Sequence, residues 1–185
     1  FSSERRKNLR LSQRYSSLAE LRKNPPVADV YMTGSDQVWG PVMCGEYDPA
    51  YLLDYVSEKS RLVAYGSSFG KRVPLGDAER MFRNELTRYD AIAVREDTAV
   101  EQLSRWGFPA EQVLDPTLLL PGDSWRSIMN PSRGEPAPYV LVYQIHNDQR
   151  VGRYAERAAS FLGLPLIRVS PYAHQVSREG ELVLL

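Results

Sequence analysis

The sequence predicts an α/β fold with a mostly parallel sheet. Three observations carry that expectation. Short apolar runs alternate with segments of helical spacing from residue 28 to residue 170. One run, RLVAYG at 61–66, is apolar almost throughout, as in a strand buried on both faces of a sheet. The residues that follow each run are polar or glycine-rich, as at the carboxyl ends of parallel strands.

Taken in order, SQRYSSLAELRKN (12–24) reads as a short helix stopped by Pro25 and Pro26. ADVYMTG (28–34) reads as the first strand. EYDPAYLLDYV (46–56) is an aromatic-rich connection, expected to be partly strand, and RLVAYG is the second strand. DAERMFRNELTRY (77–89) has helical spacing through Met81, Phe82, Leu86 and Tyr89. DAIAVR (90–95) is a strand, and EDTAVEQLSRWG (96–107) a helix that is acidic at its start and closed by Gly107. QVLD (112–115) is a short strand. The stretch that follows, PGDSWRSIMNPSRGEPAPY (121–139), is rich in Pro, Gly and Ser and reads as a linker. Beyond it, YVLVYQI (139–145), RVGRYAERAASFLG (150–163) and PLIRVS (165–170) form one β-α-β unit. The expected organisation is a first domain over 1–120, a linker over 121–138 and the start of a second domain over 139–185.

Composition bounds the function. With 43% hydrophobic and 25% charged residues, the 185-residue chain can bury a core without staples. Acids and bases balance at 23 each, so no global field recruits nucleic acid. The basic start (Arg5, Arg6, Lys7, Arg10, Arg14, Arg22, Lys23) is the pattern of a solvated helix face or arm. The single cysteine, Cys44, excludes an internal disulfide and fits a reducing compartment. No apolar run approaches the roughly 20 residues that span a bilayer. The chain starts at Phe1 and ends in LVLL, so it is expected to be a segment of a longer protein.

In an open parallel sheet, ligands bind beyond the carboxyl ends of the strands. Here four successive strands end in GSDQVW, GSSFGK, RED and LDPT, which would bring Ser35, Asp36, Gln37, Ser67, Ser68, Arg95 and Asp115 to one edge. Each has an ordinary structural reading as well. Asp36 can cap a helix or close an Asx turn, and Gly66 and Gly70 can relieve turn strain. Trp39 is either core or a stacking platform. Arg95 stands at a strand end beside a helix start, where it is placed to hold phosphate or carboxylate bidentately or to pair with Glu96 or Asp97. His146 closes the first strand of the second domain beside Gln144 and Asn147, as a ligand contact or a surface residue.

GSSFG also matches the nucleophile elbow of α/β-hydrolases, with Ser68 as nucleophile and Asp115 and then His146 or His174 in hydrolase order. The elbow needs a helix directly after the serine, and KRVPLG with Pro74 intervenes. One cysteine and two histidines 28 positions apart make no zinc spacing. Neither a P-loop nor a G-x-G-x-x-G fingerprint occurs.

TGSDQVW, YLLDYV, YGSSFGK, VREDTAVEQL and VLDPTLLL ahead of Trp125, in this order and spacing, resemble the polysaccharide pyruvyl transferase family from about Asp29 to about Ser170. The resemblance implies two Rossmann-like halves facing a cleft, similar to GT-B glycosyltransferases. It implies transfer of a pyruvyl group from phosphoenolpyruvate to sugar hydroxyls as a ketal, with phosphate released and no cofactor or metal. By resemblance, Arg95 is the donor contact and, with Asp36 as base, forms the catalytic pair. Ser35, Gln37, Trp39, Ser67, Ser68, Gly70, Asp115 and His146 would line the substrate cleft. The implied partners are phosphoenolpyruvate and a saccharide acceptor, including a lipid-linked one. The implied location is the cytoplasm or the inner face of its membrane. Two family features are missing: an Asn-Tyr-Gly-rich first strand before Phe1, and a late Asp-Ser-Phe-His-Gly type segment, a context that neither His146 nor His174 has. The chain is therefore expected to hold most of the first half and the opening of the second, and to be inactive by itself. A non-catalytic saccharide-binding module and a GT-B-like glycosyltransferase are the competing readings.

Overall fold

The computed structural model describes residues 9–42, 45–57, 59–128, 137–146, 148–169 and 182–184. The chain divides into two compact units, Phe1–Trp125 and Arg126–Leu185.

The first helix, α1, covers only Leu18–Lys23, shorter than the spacing predicts. Local capping sets its start. The Ser17 hydroxyl accepts from the Glu20 N–H at 3.2 Å, and the Glu20 carboxylate accepts from the Ser16 N–H and hydroxyl at 2.8 and 2.6 Å. Asn24 and the two prolines end it. The Tyr31 hydroxyl then donates to the Pro26 carbonyl at 2.6 Å and accepts from the Ala28 N–H at 3.1 Å, which pins the entry to strand β1 (Val30–Thr33).

Residues 46–56, expected to be partly strand, contain no strand. Asp48 accepts from the Ala50 N–H at 2.9 Å, and Pro49 opens a 3-10 helix over Pro49–Leu52. An Asp-Pro pair favours this start, because proline needs no partner for an N–H and its fixed φ suits a first helical position. Strand β2 (Arg61–Ser67), helix α2 (Asp77–Leu86), strand β3 (Ala91–Val94), helix α3 (Asp97–Arg105) and the two-residue strand β4 (Glu111–Gln112) follow. β4 stops short of the predicted Asp115, because that carboxylate instead caps a second 3-10 turn, Pro116–Leu118.

The sheet is parallel and runs in sequence order, β1-β2-β3-β4. Crossovers of one hand in a sequential sheet fall on one face. That face carries the core: Leu52, Ala64, Ile92 and Val94 meet Phe82 and Leu86 of α2, Ala99 and Leu103 of α3, and Trp39, Phe69 and Trp106 from the loops. Phe69 lies 5.3 Å from Trp39 and 5.1 Å from Phe82, ring centre to ring centre. Such aromatic pairs add about 1 kcal/mol each beyond their buried area. The other face is half-open. Met32 is 63% exposed, and Val63, Tyr65 and Ala93 are only partly buried. The double burial that RLVAYG predicts is therefore absent among the described residues, because every crossover is spent on one side.

Gly122–Ile128 form helix α4, where composition predicts a linker; residues 129–136 lie outside the described residues. The second unit contains a parallel sheet in the order β5 (Val140–Tyr143), β6 (Leu166–Val169), β7 (Leu182–Leu184). Helix α5 (Gln149–Leu162) joins β5 to β6. Its N-cap is Asp148, which accepts from the Arg150 N–H at 2.8 Å, and Gly163 closes it in the left-handed region. Among the described residues, no helix is long and apolar enough to cross a membrane.

Candidate active site

The parallel register brings the carboxyl ends of β1 to β4 side by side, so the polar segments that follow them share one edge. Gly34 makes the first turn possible. It has φ +131°, and a β-carbon on it would stand 1.9 Å from the Tyr65 carbonyl oxygen. The chain can cross the end of β2 this closely only without a side chain. Ser35–Gln37 then run over that end. The Ser68 N–H donates to the Asp36 carbonyl at 3.0 Å, and the Trp39 N–H to the Ser68 carbonyl at 3.1 Å. GSDQVW is thus stitched to GSSFG. Asp36 adopts φ 81°, a conformation aspartate tolerates better than most residues. Trp39 turns inward, 1% exposed, with its indole N–H on the Tyr51 carbonyl at 3.2 Å.

Arg95 is the centre of the edge. Its Nη1 donates to Asp115 Oδ2 at 2.9 Å, and its Nη2 reaches Asp36 Oδ1 at 3.4 Å. The Ser35 hydroxyl donates to the same Asp115 oxygen at 3.0 Å. The other Asp115 oxygen accepts from the Thr117 N–H at 2.9 Å and the Thr117 hydroxyl at 2.7 Å. These donors hold the Asp115 carboxyl far below the usual carboxylate range, Thr117 first, with Arg95 and Ser35 adding to it. Asp115 in turn raises the Arg95 guanidinium pKa. The two carboxylates differ in setting. The Asp115 side chain is 23% exposed and fully engaged, whereas the Asp36 side chain is 87% exposed and touches Arg95 by one long contact. The predicted pairing of Arg95 with Glu96 or Asp97 is replaced by these two partners.

Ser67 and Ser68 lie under the edge rather than on it, at 0% and 1% exposure. The Ser67 hydroxyl donates to the Thr33 carbonyl at 3.3 Å. The Ser68 hydroxyl donates to Glu96 Oε1 and accepts from the Gly70 N–H at 2.9 Å. Both of its functions are used internally, and the nearest helix downstream starts at Asp77. A nucleophile elbow needs an exposed hydroxyl on a strand-to-helix turn, so the hydrolase reading of Ser68 is overturned. Ser67, Ser68 and Trp39, expected in the cleft lining, are buried beneath this edge.

Gln37 is exposed and lies across two glycines. β-Carbons on Gly70 and Gly40 would approach its side chain to 2.2 and 2.6 Å. The structure therefore joins Ser35, Asp36, Arg95 and Asp115 directly, and sets Gln37 and Gly70 together beside them. His146 belongs to the second unit, exposed in the turn after β5.

The family model of the polysaccharide pyruvyl transferases matches residues 2–176. The chain belongs to that family. Comparisons with curated proteins and with solved structures find no match. In this pyruvyl transferase family member, two contributors to the edge were not singled out from sequence. Glu96 receives the Ser68 hydroxyl, and its second oxygen is buried with no hydrogen-bond partner, near a cavity of about 30 Å³ beside Phe69, Gly70, Thr98 and Gln102. Thr117 supplies two of the donors on Asp115. The signal for Glu96 was its place in RED, one residue before a helix. The signal for Thr117 was the D-P-T spacing of a capped turn.

Proposed function

We propose that this edge binds the anionic donor of a pyruvyl transfer from phosphoenolpyruvate to two hydroxyls of a surface polysaccharide unit. The observation that carries the reading is the asymmetry of the Arg95 contacts. Asp115 holds one side of the guanidinium firmly, so the arginine is already oriented. Asp36 holds the other side by a 3.4 Å contact in solvent. A donor phosphate or carboxylate can displace Asp36 and accept from Nη2 and Nε, giving the paired geometry that arginine offers to such anions.

That displacement frees Asp36 to act as the base on an acceptor hydroxyl. In the reaction, one sugar oxygen bonds to C2 of phosphoenolpyruvate while C3 gains a proton. The C2–O bond to phosphate then breaks, and the phosphate leaves with its electron pair. The second sugar oxygen bonds to C2 and releases its proton, leaving a cyclic ketal and inorganic phosphate. No redox change occurs and no metal is called for. The two parallel-sheet units are the reason to propose a GT-B-like architecture. A donor made in the cytoplasm is the reason to propose that location, at the inner membrane face when the acceptor is lipid-linked.

One observation favours a second reading, a saccharide-binding module without chemistry. Arg95 is outnumbered by Asp36 and Asp115, so the edge has a net negative formal charge and suits sugar hydroxyls as donors. A GT-B-like glycosyltransferase would share that feature. Phosphate release from phosphoenolpyruvate, measured with and without a saccharide acceptor, separates them. Acceptor-dependent release that Asp36→Asn lowers by about 100-fold supports the transferase. Saccharide binding with no phosphate released supports the module.

A further inference from the structure

We infer that the outward face of helix α5 docks on an anionic lipid surface. A helix lying on a sheet ordinarily turns its large apolar side chains inward. Helix α5 does the reverse. Its buried positions are the small residues Gly152, Ala155 and Ala159. A β-carbon on Gly152 would stand 3.3 Å from Arg168 Nη1, so the inner face has little room for more. Its two aromatics point out: Tyr154 is 77% exposed and Phe161 90% exposed.

The company these aromatics keep identifies the partner. At 3.6 residues per turn, Arg150, Arg153, Tyr154, Arg157 and Phe161 fall within an arc of about 100° opposite the buried stripe. All five are exposed, and no acidic residue of α5 lies in that arc. The helix's one acid, Glu156, sits to the side and accepts from Arg168 Nη2 at 3.0 Å. Asp148 pairs with Arg150 at 2.9 Å, which leaves Arg153 and Arg157 as the cations of this helix with no ion-pair partner among the described residues. Tyr154 and Phe161, seven residues apart, stand about 10 Å apart along the axis with Arg157 between them.

Cations alone on a helix would fit any polyanion. Cations interleaved with two aromatics fit a bilayer interface, where guanidinium groups reach lipid phosphates and aromatic rings settle at the level of the headgroups. This inference stands on the α5 face alone and does not depend on the donor chemistry proposed above.

The test is co-sedimentation of the 185-residue chain with vesicles of phosphatidylcholine alone or with 30 mol% phosphatidylglycerol, a composition on the order of that in anionic biological membranes. The expected result is partition onto the anionic vesicles only, weakened by added salt. Arg153→Gln with Arg157→Gln should lower that partition by about 30-fold, at roughly a fivefold effect per arginine. Phe161→Ser should lower it while leaving the salt dependence unchanged. Equal binding to both vesicle types, equal binding by the arginine variant, or tighter arginine-dependent binding to a short DNA duplex than to the anionic vesicles would overturn the inference. No phosphoenolpyruvate is present in this assay, so its failure leaves the transferase reading untouched.

Discussion

Arg95 shows how little a residue's identity says until its partners are known. Its place at the end of β3 was legible from the polar run after an apolar one, and so was its meeting with Asp36 and Asp115 across strand ends. Which acid would pair with it was not. Sequence proximity favoured Glu96 and Asp97, but parallel register set Asp115 at 2.9 Å instead. Asp115 makes a pH-dependent contribution whose sign is determined. Its carboxyl is depressed in the folded protein, so its stabilisation is complete above the unfolded value of about 4 and is lost as pH falls through the folded one. Asp115→Asn should therefore be less stable than the wild type at pH 7 in urea melts, and the gap should shrink steadily below pH about 4. A gap that stays constant with pH would mean that the charge of Asp115 is not what matters. Gly34 gives a sharper residue-scale outcome. Gly34→Ala places a methyl group against the Tyr65 carbonyl at a φ that alanine avoids, and should cost about 3 kcal/mol, or a Tm lower by about 9 °C.

The elements with the strongest periodicity were read correctly in kind: both helices over β2–β4, α5 in the second unit, and the strands between them. Boundaries moved where a side chain offered the backbone a better partner. Ser17 shortened α1, and Asp115 ended β4 early. Asp48 turned an aromatic-rich stretch into a 3-10 helix, because apolar spacing says nothing about which N–H groups a nearby carboxylate will satisfy. Double burial of β2 was misjudged for another reason, since an apolar strand does not reveal on which side its crossovers fall. The loop after β2 is tied to α3 and its N-cap Glu96 at three places, one of them the Arg72–Glu101 ion pair at 3.2 Å. Ser68 donates to Glu96, and Gln102 bonds the Val73 N–H and carbonyl at 3.1 and 3.0 Å. Ser68→Ala should destabilise the protein by about 2 kcal/mol, since it leaves the Gly70 N–H and a second Glu96 oxygen unpaired. The double variant with Glu96→Ala should fall short of the additive sum by roughly 1 kcal/mol. Strict additivity would show that the pair is not coupled. Fluorophosphonate should not label Ser68 in the wild type, because its hydroxyl is buried and committed.

At the scale of the molecule, a packed support lies beneath the polar edge that we propose binds the donor. The aromatic core beneath the sheet edge, with Trp39 as its anchor, fixes the loops. Above it, exposed Asp36 meets half-buried Arg95 by one 3.4 Å contact. The donor proposed above, phosphoenolpyruvate, carries two anionic groups, a phosphate and a carboxylate. The most direct measurement is a calorimetric titration of phosphoenolpyruvate into the 185-residue chain and its Arg95→Lys variant, with a thermal melt of each. Lysine keeps the charge but loses the paired donors. The account predicts binding by the wild type, a loss of about tenfold or more in affinity for Arg95→Lys, and Tm values within about 3 °C of each other. Undiminished affinity in the variant, or no binding by the wild type, would contradict it and leave Arg95 as an ion pair that holds the edge together.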